Sequence, residues 1–171
     1  NVGAQTSTGV TSTINVTATG STPILNVAAT ATYMENTSGT TLSSGFTLSD
    51  PDDVSMASAA VTIATGLSTG DVLVAVTTGT NITLSYNTSN GTLTLSGTDS
   101  VANYQTVLRS VTYSSSSDDP TATSATRTLN WRVVDAGSTG GGTATGSAST
   151  TLTVTAVNDA PVVTAGATVG Y

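Results

Sequence analysis

Residues 50–53 read Asp-Pro-Asp-Asp, which puts three carboxylates within four positions. Like charges held that close repel one another unless a cation or solvent screens them. The cation best suited to such oxygens is calcium, which takes about 6 to 8 oxygen ligands from carboxylates and carbonyls. Other carboxylates and amides stand in turn-like contexts along the chain: Glu35 in Met-Glu-Asn, Asp99 in Gly-Thr-Asp-Ser, Asp135 in Val-Asp-Ala-Gly, and the pair Asn158-Asp159 ahead of a proline. These eight positions, Glu35, Asp50, Asp52, Asp53, Asp99, Asp135, Asn158 and Asp159, are the candidate metal ligands. Asp-Pro-Asp is also ordinary turn chemistry, and an Asn-Asp pair forms Asx-turns without any metal.

What is missing narrows the chemistry. The chain has no histidine, cysteine or lysine. That excludes disulfides, sites needing imidazole or thiolate, and a lysine–asparagine crosslink. Only paired carboxylates could perform acid–base catalysis, and no aromatic-lined cleft is evident beside them, so an enzyme is not expected. A net charge of −7 with only 8% charged residues leaves no basic face for nucleic acid or acidic lipid. No apolar run is long enough for direct membrane insertion.

The acids must be positioned by strands. More than a third of the residues are Ser or Thr, a bias found in disordered stalks, yet the apolar residues alternate. Ala57, Ala59, Val61 and Ile63 share a face, as do Val72, Val74 and Val76. Ile82, Leu84 and Tyr86 lead through the turn signal Asn90-Gly91 to Leu93 and Leu95. Leu129, Trp131 and Val133 alternate with Thr128, Asn130 and Arg132, and Leu152, Val154 and Ala156 with Thr151, Thr153 and Thr155. Threonine suits such strands because its branched Cβ packs on the pleat while its hydroxyl meets water. One stretch changes period: Val101, Tyr104, Val107 and Leu108 fall at helical spacing behind Ser100, a candidate N-cap. About eight short strands and one or two helical turns near 100–108 predict an all-β, antiparallel Greek-key sandwich. A Thr-rich solenoid needs a repeat of ~20 to 30 residues, and the sequence shows none. Trp131, between Leu129 and Val133, is expected in the core.

An internal repeat is visible. With Pro23 laid over Pro161, residues 13–33 align with 151–171 without a gap, and eight positions are identical, including Pro23/Pro161 and Tyr33/Tyr171. The period is 138 residues, enough for a domain of ordinary size. The expected organisation is the last strand or strands of one repeat at 1–22, a complete repeat at 23–160, and the first strand of another at 161–171.

The motifs Val-Asn-Asp-Ala-Pro-Val-Val, Tyr-Met-Glu-Asn-Thr-Ser-Gly, Leu-Ser-Asp-Pro-Asp-Asp and Leu-Asn-Trp-Arg-Val-Val-Asp-Ala-Gly, in this order, resemble those of bacterial cadherin-like repeats, which occur in tandem in large surface adhesins. The resemblance covers essentially the whole repeat. It implies a Greek-key sandwich whose junctions with adjacent repeats are stiffened by calcium. Glu35 then stands for the glutamate of the "PEN" motif and Asp99 for the aspartate of "LDRE", both at the lower pole, facing the next repeat with Asn158 and Asp159. Asp50, Asp52 and Asp53 stand for the "DxD" loop and Asp135 for "A-x-D-x-G", both at the upper pole. One departure weakens the upper site, where Gly20 and Ser21 occupy the places of Asn158 and Asp159; separately, "LDRE" is reduced to Thr-Asp-Ser, which lacks its glutamate. The lower junction is therefore expected to bind calcium more tightly, with the upper one the freer hinge unless direct packing locks it.

The function implied is a calcium-stiffened tandem repeat of a secreted, extracellular or cell-surface adhesin or fibre, its partners being adjacent repeats of the same chain. The alternative is a subunit of a self-assembling fibre or surface layer, completed by strands from identical chains. A glycan- or ice-binding module is a third reading, and the irregular spacing of the Thr-x-Thr runs disfavours the ice lattice.

Overall fold

The computed structural model describes residues 2–6, 8–16, 18–137, 141–160 and 166. Among these, eleven strands and one helix follow one another: β1 (Ile24–Asn26), β2 (Thr30–Met34), β3 (Thr40–Thr41), β4 (Thr47–Ser49), β5 (Ser55–Thr65), β6 (Asp71–Val74), β7 (Thr83–Asn87), β8 (Thr92–Ser100), α1 (Val101–Arg109), β9 (Thr112–Ser115), β10 (Thr126–Asp135) and β11 (Thr145–Thr155). The long alternating segments of the sequence are the long strands. The named alternations fall in β5–β8, β10 and β11; β1–β4 and β9, of two to five residues, are too short to show a clear period.

Six strands form the main sheet in the order β2-β11-β10-β5-β8-β7. The facing layer is the three-stranded sheet β3-β9-β6 together with the β1-β4 pair. All pairings are antiparallel except β2 with β11. That parallel pair arises because the chain leaves β1 in one layer and crosses at residues 27–29 to the edge of the other. The result is an all-β sandwich.

β10 shows how the sequence makes the core. Its inward positions are Arg127, Leu129, Trp131, Val133 and Asp135, all buried, while the residues between them are exposed or half-buried. Trp131 packs on Phe46 with ring centroids 5.6 Å apart and donates its indole N–H to Thr150 Oγ1 at 3.0 Å, so its one polar atom is satisfied inside the core. Tyr33 meets Tyr113 edge to face at 5.0 Å. Ser100 caps α1 by accepting from Asn103 N, and the helix buries Tyr104, Val107 and Leu108. The register defines two poles. Ser55, Ser100 and Asp135 lie together at the upper one, because β5 pairs Ser55 with Ser100 and Met56 with Asp135. Met34, Thr126 and Thr155 lie at the lower one.

Candidate metal centre

The loop between β4 and β5 folds on Asp50. Its Oδ1 accepts hydrogen bonds from the backbone N–H of Asp52 (3.1 Å) and of Asp53 (2.9 Å), the Asx geometry that Asp-Pro adopts readily. This curls the chain so that one carboxylate oxygen from each of Asp50, Asp52 and Asp53 lies within 4.8 Å of the others. Calcium holds its oxygens at about 2.3–2.6 Å, so ligands on opposite sides of an ion stand about 5 Å apart. The spread of the three oxygens matches that sphere. Asp50 Oδ2 is buried and makes no hydrogen bond, so it is free to ligate. These residues fit calcium as a donor set: they are all hard oxygens, in a loop that can supply backbone carbonyls as well.

The electrostatics record the crowding. Burial pushes the Asp50 carboxyl above the usual carboxylate range, and the neighbouring Asp52 pushes it the same way. Asp52 is held below that range, chiefly by the Ser21 backbone N–H, which lies 3.1 and 3.0 Å from its two oxygens.

Two further acids stand at this pole without joining the cluster. Asp135 is fully buried. Its Oδ1 accepts from Gly137 N (3.1 Å) and Ala144 N (3.0 Å), and its Oδ2 from Ala144 N (2.9 Å), so it braces the Gly-rich loop that returns to β11. Asp99 lies here too, not at the pole of Glu35 where the motif resemblance placed it. The antiparallel pairing of β8 with β5 sets Asp99 opposite Met56, three residues from Asp53. Its Oδ2 accepts from Asn81 N, and its Oδ1 from Ser100 N and Asn103 Nδ2, each at 2.7 Å. The Asn81 amide leads in holding its carboxyl below the usual range. β-Bulges at Met56/Ser58 and Val134/Asp135 fall at this same pole, where they turn the strand ends toward the loops.

The lower pole carries Glu35, Asn158 and Asp159. Glu35 is 2% exposed. Its Oε2 accepts from Val157 N at 2.7 Å, while Oε1 is buried with no hydrogen-bond partner. Asn36, in the left-handed region at φ 63°, donates to Asp159 Oδ1 at 3.4 Å. Asn158 and Asp159 are exposed, and Pro161 with the rest of the expected strand at 161–171 (Gly166 apart) lies outside the described residues. Upstream, described residues before β1 form no strand. The linker counterpart Gly20-Ser21, expected to be loose, instead lies against the domain. Gly20 N donates to Gly141 O at 3.1 Å, and a Cβ on Gly20 would stand 2.6 Å from Gly142 O.

One cluster escaped the sequence reading. Asp71, at the head of β6, accepts from Arg127 Nε at 2.7 Å, and both side chains are fully buried. Tyr113 donates its hydroxyl to Asp71 Oδ1 at 2.6 Å, and burial together with that carboxylate pushes the phenol far above its ordinary range. The remaining Arg127 donors reach Ser124 O (2.5 Å) and Pro120 O (2.7 Å). Extending the alternation of Leu129, Trp131 and Val133 by one step at each end would have flagged Arg127 and Asp135 as inward.

No family model matches the chain, and no solved structure matches it. Among curated proteins it is similar to halomucin of Haloquadratum walsbyi (strain DSM 16790 / HBSQ001), 37% identical over 103 residues. The match takes in 57% of this chain and 1% of halomucin. The chain thus spans a very small part of the length of the relative it matches.

Proposed function

We propose that this chain is a repeat module of a secreted, cell-surface protein, acting as a spacer or adhesion unit and stiffened by calcium at its junctions. The observation that carries the surface reading is the similarity to a short piece of halomucin, a much longer protein named as a mucin. The 138-residue internal period agrees with a module that recurs, and no helix among the described residues is long and apolar enough to cross a membrane.

The calcium reading is supported by the three clustered carboxylates at the upper pole and by the buried oxygens of Asp50 and Glu35 that have no hydrogen-bond partner. When bound, the ion supplies positive charge where the loop concentrates negative charge. Asp50, Asp52 and Asp53 would hold it at the upper pole, and Glu35 with Asn158 and Asp159 at the lower. Each carboxylate then loses the repulsion of its neighbours, and each loop loses freedom to move. The role is structural, not catalytic.

The test is thermal unfolding of the chain with calcium and with chelator. Calcium at about a hundred times its Kd is expected to add ~2.7 kcal/mol, visible as a rise in Tm, with loss of that rise in Asp50→Asn/Asp52→Asn. Identical melting with calcium and with chelator would remove the metal and leave a cation-independent spacer.

A further inference from the structure

Five Asn-x-Ser/Thr triplets occur in the chain, at Asn15, Asn36, Asn81, Asn87 and Asn90. Such a triplet is the acceptor pattern for N-linked glycosylation, but in a chain this rich in Ser and Thr the count alone carries little. The local geometry separates them. Asn87 is the last residue of β7, and residues 88–91 turn the chain into β8. Asn87 Oδ1 accepts from Ser89 N at 2.9 Å, and Asn90 Oδ1 accepts from Thr92 N at 3.2 Å. Each is an Asx-turn, and each closes on the Ser or Thr of its own triplet. Asn87, Ser89 and Asn90 are exposed. Elsewhere the asparagine is engaged differently. Asn36 donates its side-chain amide to Asp159 Oδ1 at 3.4 Å, and at Asn81 the backbone N–H is held by Asp99 Oδ2.

The turn matters to the chemistry. A carboxamide nitrogen is a poor nucleophile because its lone pair is delocalised onto Oδ1. A backbone N–H donated to Oδ1 stabilises the charge that gathers there when Nδ2 loses a proton, and so activates the nitrogen. The same bend folds the hydroxyl-bearing third residue back beside the amide, where a transferase can grip both. Asn87 has the better arrangement of the two. Its Asx bond is the shorter and Ser89 is exposed, whereas the Thr92 hydroxyl is shared with Thr62 Oγ1 at 3.2 Å.

The hairpin tip is also where the main sheet needs cover. β7 is its outer strand at the end opposite β2, and Leu84 within it is 40% exposed. Edge strands are ordinarily guarded by charge or proline against pairing with other chains. Residues 72–98 hold neither. A bulky, hydrated glycan rooted at the end of β7 would guard that edge by its size.

We propose that the tip of the β7–β8 hairpin is an N-glycosylation site, with Asn87 the preferred acceptor and Asn90 the second. The donor is a sugar linked to a lipid through phosphate. Nδ2 of Asn87 attacks the anomeric carbon, and the C–N bond forms as the anomeric C–O bond breaks. The phosphate leaves with the electron pair, and the Nδ2 proton passes to a base of the transferase. The site stands apart from the calcium reading, since the acceptor geometry belongs to the folded hairpin alone.

The test presents the folded 171-residue chain to an oligosaccharyltransferase that requires only Asn-x-Ser/Thr, with its lipid-linked oligosaccharide as donor. A short peptide carrying the triplet shows that the enzyme is active, and mass spectrometry maps the glycopeptides. The expected result is a glycan on Asn87 well ahead of Asn36 and Asn81. Ser89→Ala removes the hydroxyl and keeps the backbone N–H. It should abolish the glycan on Asn87, pass it to Asn90 and leave the Tm in place. Asn87→Gln/Asn90→Gln should abolish modification of the hairpin. A hairpin that takes no glycan overturns the proposal, and so does modification spread evenly over Asn36, Asn81 and the hairpin. A glycan on Asn87 that survives Ser89→Ala overturns it as well.

Discussion

The two ends of β10 handle buried charge in opposite ways. At the lower end Arg127 turns inward and meets Asp71, and Tyr113, the Ser68 N–H and two carbonyls join them. At the upper end Asp135 turns inward and finds backbone amides, with Asp50, Asp52, Asp53 and Asp99 around the same pole and no buried ion pair among the described residues there. A charge that carries its own counter-charge into the fold needs nothing from outside. Acids gathered without one are stabilised by local dipoles at best, and they stay responsive to cations, pH and salt. The lower cluster is therefore part of the folding of the domain, while the upper one is open to control after folding.

The largest effect should come from breaking the self-contained end. Asp71→Ala leaves Arg127 buried and uncompensated, and Arg127→Ala does the same to Asp71. Each is expected to cost about 3–5 kcal/mol, since one member of a buried pair is then stranded. The double variant Asp71→Leu/Arg127→Met should recover most of that loss, because apolar residues of similar volume often replace such pairs without penalty. Urea midpoints of the three proteins check it. A double variant as unstable as the singles would mean that the Tyr113 and carbonyl contacts, not the ion pair, set the stability of this end.

The upper end should respond with the opposite sign. Asp50 is a carboxyl pushed up by burial and by its neighbour, so neutralising it relieves repulsion. Asp50→Asn is expected to raise the Tm in chelator, by a small amount because solvent screens this partly exposed loop, and to shrink the rise that calcium produces. Removing a charge thus stabilises one end and destabilises the other. If Asp50→Asn lowers stability in chelator, the loop depends on the carboxylate itself as a turn brace.

Much of this layout was legible in the sequence, and the illegible part has a physical pattern. Long strands announced themselves through Ala57–Ile63, Leu129–Val133 and Leu152–Val154, because a period of two needs several residues to show. The helix behind Ser100 was legible from spacing and cap together. The short β1, β3 and β4 were not, and neither was the parallel pairing of β2, because crossing between layers leaves no local signature. Among the candidate ligands, Asp50, Asp52 and Asp53 are neighbours in the chain, and their proximity needed no fold. Asp99 was assigned the wrong pole because its position depends on strand register, which a motif match does not carry. The Asp71–Arg127 pair was invisible for the same reason: 56 residues separate the partners.

A further effect separates a buried hydroxyl from both acidic ends. Tyr104 donates to Gly97 O at 2.7 Å, and burial, with a contribution from Asp99, pushes its phenol up to about 12. A raised folded-state value means that this contribution is fully present below the unfolded value near 10 and is lost as pH rises toward 12. The wild type should lose stability across that window. Tyr104→Phe should begin about 1 kcal/mol less stable at neutral pH, having left a carbonyl unpaired, and should lose less on the way to pH 12. Denaturant titrations at pH 8 and 11.5 check the difference.

The smallest change in stability should accompany a clear change in motion, and it concerns the linker at the upper pole. Gly20 and Ser21 lack the amide and carboxylate groups of Asn158 and Asp159, yet they are tied down by Gly141 O and by the Asp52 carboxylate. Gly20 can approach because it has no side chain: a Cβ there would meet Gly142 O at 2.6 Å, inside van der Waals contact with backbone that has little room to yield. Gly20→Ala should therefore lift the linker off the domain. The core is untouched, so the Tm should shift by an amount worth well under 1 kcal/mol, as for surface changes generally. Amide exchange at residue 21 should speed up. The Asp52 carboxyl should also rise back toward the ordinary range, because the Ser21 N–H is the first cause of its depression. Carboxyl titration followed by NMR reads this directly. A depressed value retained in Gly20→Ala would show that Ser21 stays docked without the Gly20–Gly141 bond, and that Asp52 alone anchors the junction.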